Sequence, residues 1–394
     1  MAEKPVCLFV GYYGAGNLGD ELLLQVLGRW AREVGWDVYA LSHDTTGSAL
    51  SHPDFKFIPY GDLELLFDTV RKSRVVLMGG GGPLHEYNRL NPIDLWSFPG
   101  SETGTYVQPL ILARECGLPV VLLAQGVGPL FSEGAKGVVR GLFETADLVS
   151  VRSDEALSIL RTIGVQRGVC VYPDPGWVAV ANSIDPAEGH PLLVLEVRTW
   201  AFENDWHWRL AVATLRIFIE HGWRIRYCCF GGAADAAQAQ IVASLYGDPS
   251  PEIVLGELGD PAAPFRGAHR AITMRFHAGM TAVGVGVPTC LLAYDGKVAA
   301  LHRQLGLSED SQLPVDAPEE RFIKVLTALR DTPGPIVDQT NIASLRQSAL
   351  GHRDILRVAL ARYHNSTPLV SPEDTAYGRA WSALAKGTLA RNIL

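Results

Sequence analysis

Residues 6–27, VCLFVGYYGAGNLGDELLLQVL, contain the pattern that decides the fold of this chain. Val6 to Val10 form a short apolar run of the kind that strands buried on both faces have, and a helical pattern begins at about Asp20. The glycines between them let the backbone turn sharply from strand to helix. The same alternation continues along the chain, so the sequence predicts a parallel α/β sheet.

Alternating apolar runs and helical segments extend this pattern over both halves of the chain. Because 394 residues exceed what one hydrophobic core usually spans, we expect two doubly wound, Rossmann-like α/β lobes. The carboxyl ends of their strands are expected to face a shared interdomain cleft, since open α/β sheets bind ligands there. The runs are Val75 to Met78, Val120 to Ala124, Leu192 to Glu196, Arg224 to Phe230 and Ala271 to Met274, and the helical segments include Glu21 to Val34, Tyr106 to Glu115, Gly134 to Thr145, Trp206 to His221 and Ala236 to Leu245.

One polar break sets the predicted domain boundaries. Asn182 to Pro191 contains prolines and a glycine and is the best candidate for a linker. We therefore predict an N-terminal lobe at 1–183, a linker at 184–191, a C-terminal lobe at 192–365 and a tail helix within 366–394. The tail is expected to cross back onto the N-terminal lobe.

The composition is that of a globular, soluble protein, with 47% hydrophobic and 19% charged residues. No apolar run reaches about 18 residues and no signal-peptide pattern opens the chain, so stable membrane insertion is not expected. The six cysteines have no C-x-x-C spacing, which favours reduced, structural thiols, a cytoplasmic location and no metal site. The net charge of −8 argues against a nucleic-acid partner.

Two glycine-rich segments follow predicted strands, and each has more than one interpretation. Gly14 to Gly19 fits the pattern G-x-G-x-x-G, which binds dinucleotides in some folds, although Asp20 inside the turn would repel a pyrophosphate. The other readings are a structural turn, with Asp20 capping the next helix, and a loop that binds substrate at a helix N-terminus. Gly79 to Gly82 indicates either close backbone packing or the close approach of a ligand.

Two further stretches predict substrate contacts. Gln125-Gly126-Val127-Gly128 follows a strand, where a turn would face the cleft. His85 to Gly104 is rich in Asn, Trp, Phe, Pro and Tyr and has no clear period, and long loops of this kind often bind substrates. Because sugars favour aromatic faces with polar edges, we predict that this loop binds a sugar.

Arg152, Arg275 and His277 carry the predicted chemistry. Arg152 follows an apolar run and is expected either to hold a phosphate or carboxylate or to pair with a neighbouring carboxylate. Arg275 and His277 lie two residues apart where a strand gives way to a helix. Arginine stays charged while imidazole titrates near neutral pH, so the pair suits proton transfer to a small anion. The alternative for His277 is a structural bond from the strand end to a neighbouring backbone.

Taken together, the motifs resemble those of the polysaccharide pyruvyltransferase family over residues 6 to 300, in the same order. Each motif is weak alone, but the set is specific. The motifs are Gly14-x-Gly16-Asn17-Leu18-Gly19-Asp20-Glu21, Gly79 to Gly82, Gln125-Gly126-Val127-Gly128-Pro129, Val151-Arg152-Ser153-Asp154, Pro173-Asp174-Pro175, Val197-Arg198-x-Trp200, Met274-Arg275-Phe276-His277 and Tyr294-Asp295-x-Lys297.

The resemblance implies a GT-B-like, two-lobed enzyme that moves a pyruvyl group from phosphoenolpyruvate to two hydroxyls of a sugar. The product is a cyclic ketal, phosphate is released, and no cofactor other than this co-substrate is needed. Arg152 would help to bind phosphoenolpyruvate, His277 would be the general acid, and Arg275 would lie nearby. Two departures are Ser153, where many members carry arginine directly before aspartate, and the long insertion His85 to Gly104, which bears on the acceptor.

The expected roles can be assigned to residues. Phosphoenolpyruvate carries two anionic groups that need cationic partners, and a base must accept a proton from the attacking hydroxyl; Asp174, Asp20 and Glu21 are the candidate bases. The predicted catalytic residues are His277 and Asp174, and the predicted substrate-binding residues are Arg152, Arg275, Arg198, Lys297, Gly16, Asn17, Asp20, Glu21, Gly80, Gly81, Gln125 and Gly126. The expected partners are phosphoenolpyruvate and a carbohydrate acceptor, either lipid-linked or free.

Two other functions remain open at this point. A nucleotide-sugar-dependent GT-B-type glycosyltransferase would use a similar fold but would need a pocket for the base and the ribose. A glycan- or anion-binding module without catalysis would have kept the fold and lost the reaction, and turnover of phosphoenolpyruvate separates it from an enzyme.

Overall fold

The computed structural model describes residues 3–87, 102–180, 184–185, 188–199, 205–307, 312–331 and 337–385. Most of the predicted sugar-binding loop, part of the predicted linker, Trp200 and the end of the tail lie outside these residues. The chain forms two compact units. The first comprises residues 1–15, 20–175 and 348–394, and the second comprises residues 16–19 and 176–347.

The first unit is built on a seven-stranded sheet in the order β3-β2-β1-β4-β5-β6-β7, in which all neighbours are parallel. Its central strands are buried throughout because helices cover both faces, which confirms the interpretation of the continuous apolar runs. The strands are β1 (Val6–Val10), β2 (Asp37–Ser42), β3 (Lys56–Pro59), β4 (Ser73–Gly79), β5 (Val120–Gln125), β6 (Leu148–Val151) and β7 (Cys170–Val171).

Helices follow the strands of the first unit in alternation. Ser153 caps α6 by accepting a hydrogen bond from Ala156 N, which gives the residue that departs from the family pattern a structural role. The helices up to this point are α1 (Leu18–Glu33), α2 (Thr45–Ser51), α3 (Leu63–Lys72), α4 (Glu102–Glu115), α5 (Glu133–Thr145) and α6 (Asp154–Thr162).

The second unit repeats the architecture with a six-stranded parallel sheet in the order β10-β9-β8-β11-β12-β13. Its strands are β8 (Leu192–Glu196), β9 (Arg224–Cys229), β10 (Glu252–Leu255), β11 (Arg270–Thr273), β12 (Thr289–Ala293) and β13 (Leu313–Pro314). Its helices are α7 (Trp206–Ile217), α8 (Gly232–Leu245), α9 (Phe276–Gly284), α10 (Gly296–Gln304), α11 (Glu319–Asp331) and α12 (Gln339–Ala349), of which α12 contains the boundary at residues 347 and 348. The prediction of two doubly wound α/β units is confirmed.

The chain enters the second unit earlier than the predicted boundary at residue 183. The change occurs between Pro175 and Gly176. Trp177 is fully buried, and a Cβ on Gly284 of α9 would lie 3.4 Å from its ring. Ile184 N also donates a hydrogen bond to Val285 O at 2.9 Å. These contacts place Trp177 and Ile184 in the second unit.

The chain also returns to the first unit earlier than predicted, at Ser348 rather than at residue 366. Two helices belong to this segment, α13 (Gly351–Tyr363) and α14 (Ala376–Ala385). Trp381 on α14 is fully buried in the core of the first unit, and Leu369 N donates to Cys116 O at 2.7 Å. The covering segment is therefore longer than a single tail helix.

Both sheets have a topological switch point, where successive crossovers leave in opposite directions. It lies between β1 and β4 in the first unit and between β8 and β11 in the second. In open α/β sheets, the crevice at the carboxyl ends of such strands binds ligands. Four of the predicted motifs follow these four strands, and the other four follow β5, β6, β7 and β12, so all eight lie at the carboxyl ends of strands.

Five of the six cysteines are buried, and Cys170 is exposed. All six cysteines are free, and burial raises the pKa of Cys116 to about 11, so this thiol stays protonated at neutral pH. Within the described part of the chain, no helix is both long and apolar enough to cross a membrane.

Candidate functional site

Two glycine-rich turns are joined at the carboxyl edge of the first sheet. Gly80 and Gly81 follow β4 with φ angles of +66° and +84°, which side-chain-bearing residues rarely adopt. Gly126 N donates a hydrogen bond to Gly81 O at 2.6 Å, and Tyr13 donates its hydroxyl proton to Gly79 O. The predicted segments Gly79 to Gly82 and Gln125 to Gly128 are thus brought together next to the switch point.

Gln125 is positioned by an irregularity in β5. The register between β5 and β6 shifts between Leu122 and Gln125, and Ala124 has a φ of +53°, a strained value for a residue with a Cβ. The Gln125 amide nitrogen donates to Met78 O at 2.9 Å and to Leu123 O at 2.8 Å. Its Oε1 is buried and has no hydrogen-bond partner among the described residues. A buried acceptor of this kind calls for a donor from a ligand or a water molecule.

Arg152 follows β6 and is bound to Asp174. Its Nη1 donates to Asp174 Oδ2 at 2.8 Å, and the two residues are 5% and 0% exposed. A Cβ on Gly126 would lie 2.8 Å from Arg152 Nη2, and one on Gly82 would lie 3.4 Å from it. The guanidinium therefore packs against these two glycines. A side chain on Gly126 would collide with it, and one on Gly82 would be in tight contact with it. Asp174 orients the guanidinium in this contact, and its role as a base stays a prediction.

His352 supports this part of the site from the returning C-terminal segment. Its Nδ1 lies 2.9 Å from Ser150 Oγ, and its Nε2 lies 3.3 Å from Tyr172 O. Burial lowers the pKa of His352 to about 4, so the ring is neutral: Ser150 donates to Nδ1, and Nε2 donates to the carbonyl. Ser150 Oγ also accepts from the strained Ala124 N at 3.0 Å. Sequence reasoning missed His352 because it lies far along the chain from every motif.

The helix that follows the first glycine loop starts earlier than predicted. It begins at Leu18, and Asn17 Oδ1 accepts a hydrogen bond from Gly19 N at 3.3 Å, so Asp20 does not cap it. Asp20 is buried instead, and a Cβ on Gly81 would collide with its carboxylate. Glu21 Oε1 accepts from Gly14 N at 2.6 Å.

Glu21 has a second partner, since its Oε2 lies 2.9 Å from His52 Nε2. Because one carboxylate oxygen of Glu21 accepts from Gly14 N and the other contacts His52, Glu21 holds the start of the glycine loop in place. The predicted substrate role of Glu21 stays a prediction, and the observed contacts are structural.

His277 lies in the first turn of α9 in the second unit and is 8% exposed. Its imidazole lies against Gly19, so that a Cβ at Gly19 would overlap its Nδ1. Leu18 N donates to Phe230 O at 2.8 Å, which holds this part of residues 16–19 beside the turn that follows β9. The predicted loop residues Gly16 and Asn17 belong to the same short segment.

Arg275 is held by two buried carboxylates. Its Nε and Nη2 donate to the two carboxylate oxygens of Asp235 at 2.7 and 2.6 Å. Glu196 Oε2 accepts from Met274 N at 2.9 Å and from Arg275 N at 2.6 Å, while Oε1 is 3.7 Å from Arg275 Nε. Two of the nitrogens of the guanidinium are therefore committed to the protein, and Arg275 orders the turn that leads to His277.

Glu196 and Asp235 are functional candidates that sequence reasoning missed. Glu196 is fully buried at the end of β8, and burial together with the charge of Asp235 raises its pKa to about 7. The sequence signal was present, because Glu196 ends an otherwise apolar strand at the switch point. Asp235 has no comparable signal, since its pairing with Arg275 depends on the fold.

Arg198 and Lys297 meet at one aromatic ring. Arg198 Nη1 donates to the Tyr294 hydroxyl at 3.0 Å, and the guanidinium lies 5.1 Å from the centre of the Tyr294 ring. Lys297 Nζ lies 5.1 Å from the same centre and 2.9 Å from Asp295 Oδ2. The structure thus joins two predicted cations from the ends of β8 and β12 into one basic cluster.

The model of the family described as polysaccharide pyruvyl transferase matches residues 17–296 of this sequence. The chain belongs to this family. The match begins inside the first glycine loop and ends just before Lys297, so it includes all but two of the predicted site residues, Gly16 and Lys297. No curated protein has a sequence that matches this chain.

Solved structures that resemble this pyruvyl transferase family member share the fold at low sequence identity. The S. aureus MnaA–UDP co-structure is 12% identical with a TM-score of 0.58, covering 91% of this chain and 97% of its own. The Anabaena Alr3699/HepE complex with UDP-glucose is 11% identical, with a TM-score of 0.57 and coverages of 91% and 99%. A glycosyltransferase from Rickettsia africae is 11% identical, with a TM-score of 0.55 and coverages of 92% and 98%. These likenesses confirm the fold class predicted from the sequence, that of GT-B-type glycosyltransferases and epimerases.

The predicted site residues of this family member fall into two groups, one in each unit. The first unit holds Arg152, Asp174, Gln125, Gly126, Gly80, Gly81, Asp20 and Glu21, and the second holds His277, Arg275, Arg198, Lys297, Gly16 and Asn17. Among the described residues, no three His, Cys, Asp or Glu side chains form a group that could hold a metal ion.

Gly19→Ala is expected to lower the rate of pyruvyl transfer at least tenfold. The new methyl group overlaps the His277 ring, which must leave its position, whereas the backbone of Gly19 is helical and tolerates alanine. Gly259→Ala in the same unit is the matched control, because no atom lies within 4 Å of a Cβ there. Steady-state kinetics of both variants test the contact, and equal rates for the two would contradict it.

Proposed function

We propose that this protein transfers the pyruvyl group of phosphoenolpyruvate to two hydroxyls of a carbohydrate acceptor, with formation of a cyclic ketal and release of phosphate. The family supports pyruvylation of a polysaccharide. The observation that carries the choice of donor is the buried Arg152 guanidinium, oriented by Asp174 and bordered by two glycines that lack side chains. This arrangement suits a small, planar anion that approaches the guanidinium closely.

Phosphoenolpyruvate has the charges that such a site requires. Its phosphate and its carboxylate each need a cationic or N–H donor, and arginine binds both groups well because its fork of donors matches two oxygens. The buried Oε1 of Gln125 lies near the same turn and accepts only from a donor, such as a hydroxyl of the sugar acceptor, because the anionic oxygens of phosphoenolpyruvate carry no proton to donate. In the second unit, the cluster of Arg198 and Lys297 offers further positive charge.

In the proposed reaction, His277 donates a proton to C3 of phosphoenolpyruvate, and C2 becomes an oxocarbenium-like centre. One sugar hydroxyl adds to C2 and loses its proton. The C2–O bond to phosphate then breaks, phosphate leaves with both bonding electrons, and a second hydroxyl of the same sugar closes the ketal. One of the two protons released by the hydroxyls restores His277, and the other leaves with phosphate. Proton transfer of this kind contributes about 10² to 10⁴ in rate.

Asp20 is the proposed first acceptor of the proton that the attacking hydroxyl loses, and it passes this proton on to the departing phosphate. Of the three predicted bases, Asp174 is fully buried against Arg152, and Glu21 is bound to both Gly14 and His52. Asp20 is 7% exposed and lies beside Gly81 at the end of β4. This position at the end of β4, beside the switch point, is the ground for proposing Asp20.

The test is an incubation of the full-length protein with phosphoenolpyruvate and a glycan panel. The panel contains galactose, glucose, mannose and N-acetylglucosamine, each free and as its oligomers of two and four units. We expect release of phosphate together with a product whose mass exceeds that of the acceptor by one pyruvyl ketal. A parallel arm replaces phosphoenolpyruvate by UDP-glucose, because the Anabaena Alr3699/HepE structure contains that compound. Transfer of glucose from UDP-glucose, with no pyruvyl transfer from phosphoenolpyruvate, would overturn the proposal.

A further inference from the structure

Four aromatic rings gather at the carboxyl ends of the first three strands of the first unit. Tyr12 lies two residues after β1, His43 directly follows β2, Tyr60 directly follows β3, and Tyr106 reaches them from α4. We call these four residues the aromatic platform. No predicted motif included them as a group, because they come from four separate segments of the chain.

Ring contacts and hydrogen bonds fix the geometry of the aromatic platform. The His43 and Tyr60 rings are stacked with centroids 4.7 Å apart, and Tyr12 meets the His43 ring edge-on at 5.7 Å. His43 Nε2 lies 3.1 Å from the Tyr106 hydroxyl, and Tyr60 donates its hydroxyl proton to Gly11 O at 3.0 Å. The outer rings are therefore held in place before any ligand arrives.

The aromatic platform is open on one side and buried on the other. Tyr12 is 40% exposed and His43 is also exposed, whereas Tyr106 is only 6% exposed. If the four rings served only as a core cluster, all of them would be buried, since removing apolar surface from water stabilises the folded protein. Two exposed rings backed by ordered ones instead form a surface suited to a flat ligand with polar edges.

A pyranose ring has these properties. The C–H bonds on one of its faces carry partial positive charge, and the face of an aromatic ring carries partial negative charge. Its hydroxyls extend outward in the plane of the ring, where tyrosine hydroxyl and imidazole nitrogen atoms supply hydrogen-bonding groups. The position at the carboxyl ends of β1, β2 and β3 is the edge of the sheet at which ligands bind.

The aromatic platform is too far from Arg152 for one sugar to reach both. His43 follows β2 and Arg152 follows β6, and β1, β4 and β5 lie between these strands. With neighbouring strands about 4.8 Å apart, four steps amount to roughly 19 Å. A ligand that contacts the platform while its end reaches Arg152 must be several sugar units long.

We infer that the aromatic platform binds a sugar ring of an oligosaccharide acceptor, several units away from the ring that receives the pyruvyl group. The inference rests on the proposed function. It makes chain length the property by which this enzyme selects acceptors, since a monosaccharide cannot reach the platform while it reacts.

The test compares acceptors of one, two and four sugar units, taken from the glycan of the panel with the highest kcat/KM. For the wild type, we expect the KM of the four-unit acceptor to be at least tenfold lower than that of the monosaccharide. In Tyr12→Ala the ratio of the monosaccharide KM to the four-unit KM is expected to fall about tenfold, which is the effect of losing one stacking contact. Tyr12→Phe keeps the ring and should retain most of the ratio. Leu50→Ala, an exposed change on α2, should leave it as in the wild type.

The outcomes separate the two proposals. An unchanged ratio in Tyr12→Ala, or a wild type without preference for length, would overturn the inference while pyruvyl transfer stands. Absence of turnover with every acceptor would overturn the proposed function itself. Melting temperatures of the variants show whether each one is folded.

Discussion

His277→Ala should lower kcat for phosphate release by about 10² to 10⁴ while the protein remains folded. The reason is chemical: alanine cannot donate the proton that makes C2 of phosphoenolpyruvate electrophilic. The residue lies in the first turn of α9, whose other members are also buried, so the helix keeps most of its packing after the loss of one ring. Coupled phosphate detection with a reactive acceptor measures the effect.

The matched control for this variant is His269→Ala. His269 immediately precedes β11, whereas His277 comes shortly after the other end of the same strand, and His269 Nδ1 accepts a hydrogen bond from Leu192 N at 3.1 Å. We expect this change to lower the melting temperature and to leave kcat near the wild-type value. Wild-type turnover by a folded His277→Ala protein would remove this residue from the mechanism.

Arg152→Met is expected to have the second large effect, on stability as well as on binding. It leaves the Asp174 carboxylate fully buried without its partner, which costs about 3 to 5 kcal/mol of unfolding free energy. It also removes charge-assisted hydrogen bonds to phosphoenolpyruvate, worth about 1.5 to 3 kcal/mol each, and this loss raises the KM for phosphoenolpyruvate by roughly ten- to a hundredfold.

A double variant separates the two effects of Arg152. Adding Asp174→Asn to Arg152→Met removes the stranded charge, so most of the lost stability should return. Binding of phosphoenolpyruvate should not return, since the guanidinium is still absent. Chemical denaturation measures the first quantity and calorimetric titration the second. A double variant that binds phosphoenolpyruvate as the wild type does would show that Arg152 serves only to neutralise Asp174.

The parts of the site that could be predicted are those carried by a single stretch of sequence. The end of β6 places Arg152, and the β11–α9 turn places Arg275 and His277, because a strand followed by a helix has few ways to continue. Polar residues just after buried strands in a parallel sheet lie at one edge by geometry alone. The motifs therefore indicate the carboxyl edge of each sheet as the place of the candidate site.

The missed parts depend on pairing between distant segments. Asp235 lies 40 residues from Arg275, and His352 lies 202 residues from Ser150. Substrate binding by Arg275 stays a prediction, but a lone arginine after a strand does not indicate a carboxylate partner on a different helix. The aromatic platform was missed for the same reason, since it draws on four segments.

The return of residues 348 onward to the first unit has a consequence for how the chain folds during synthesis. The second unit, residues 176–347 with the short piece 16–19, is complete in sequence before α13 and α14 leave the ribosome. Until then the sheet β1–β7 lacks the helix that carries Trp381, and part of its apolar core stays open to water. The half made first is thus completed last, and apolar surface exposed during that interval favours aggregation of the nascent chain.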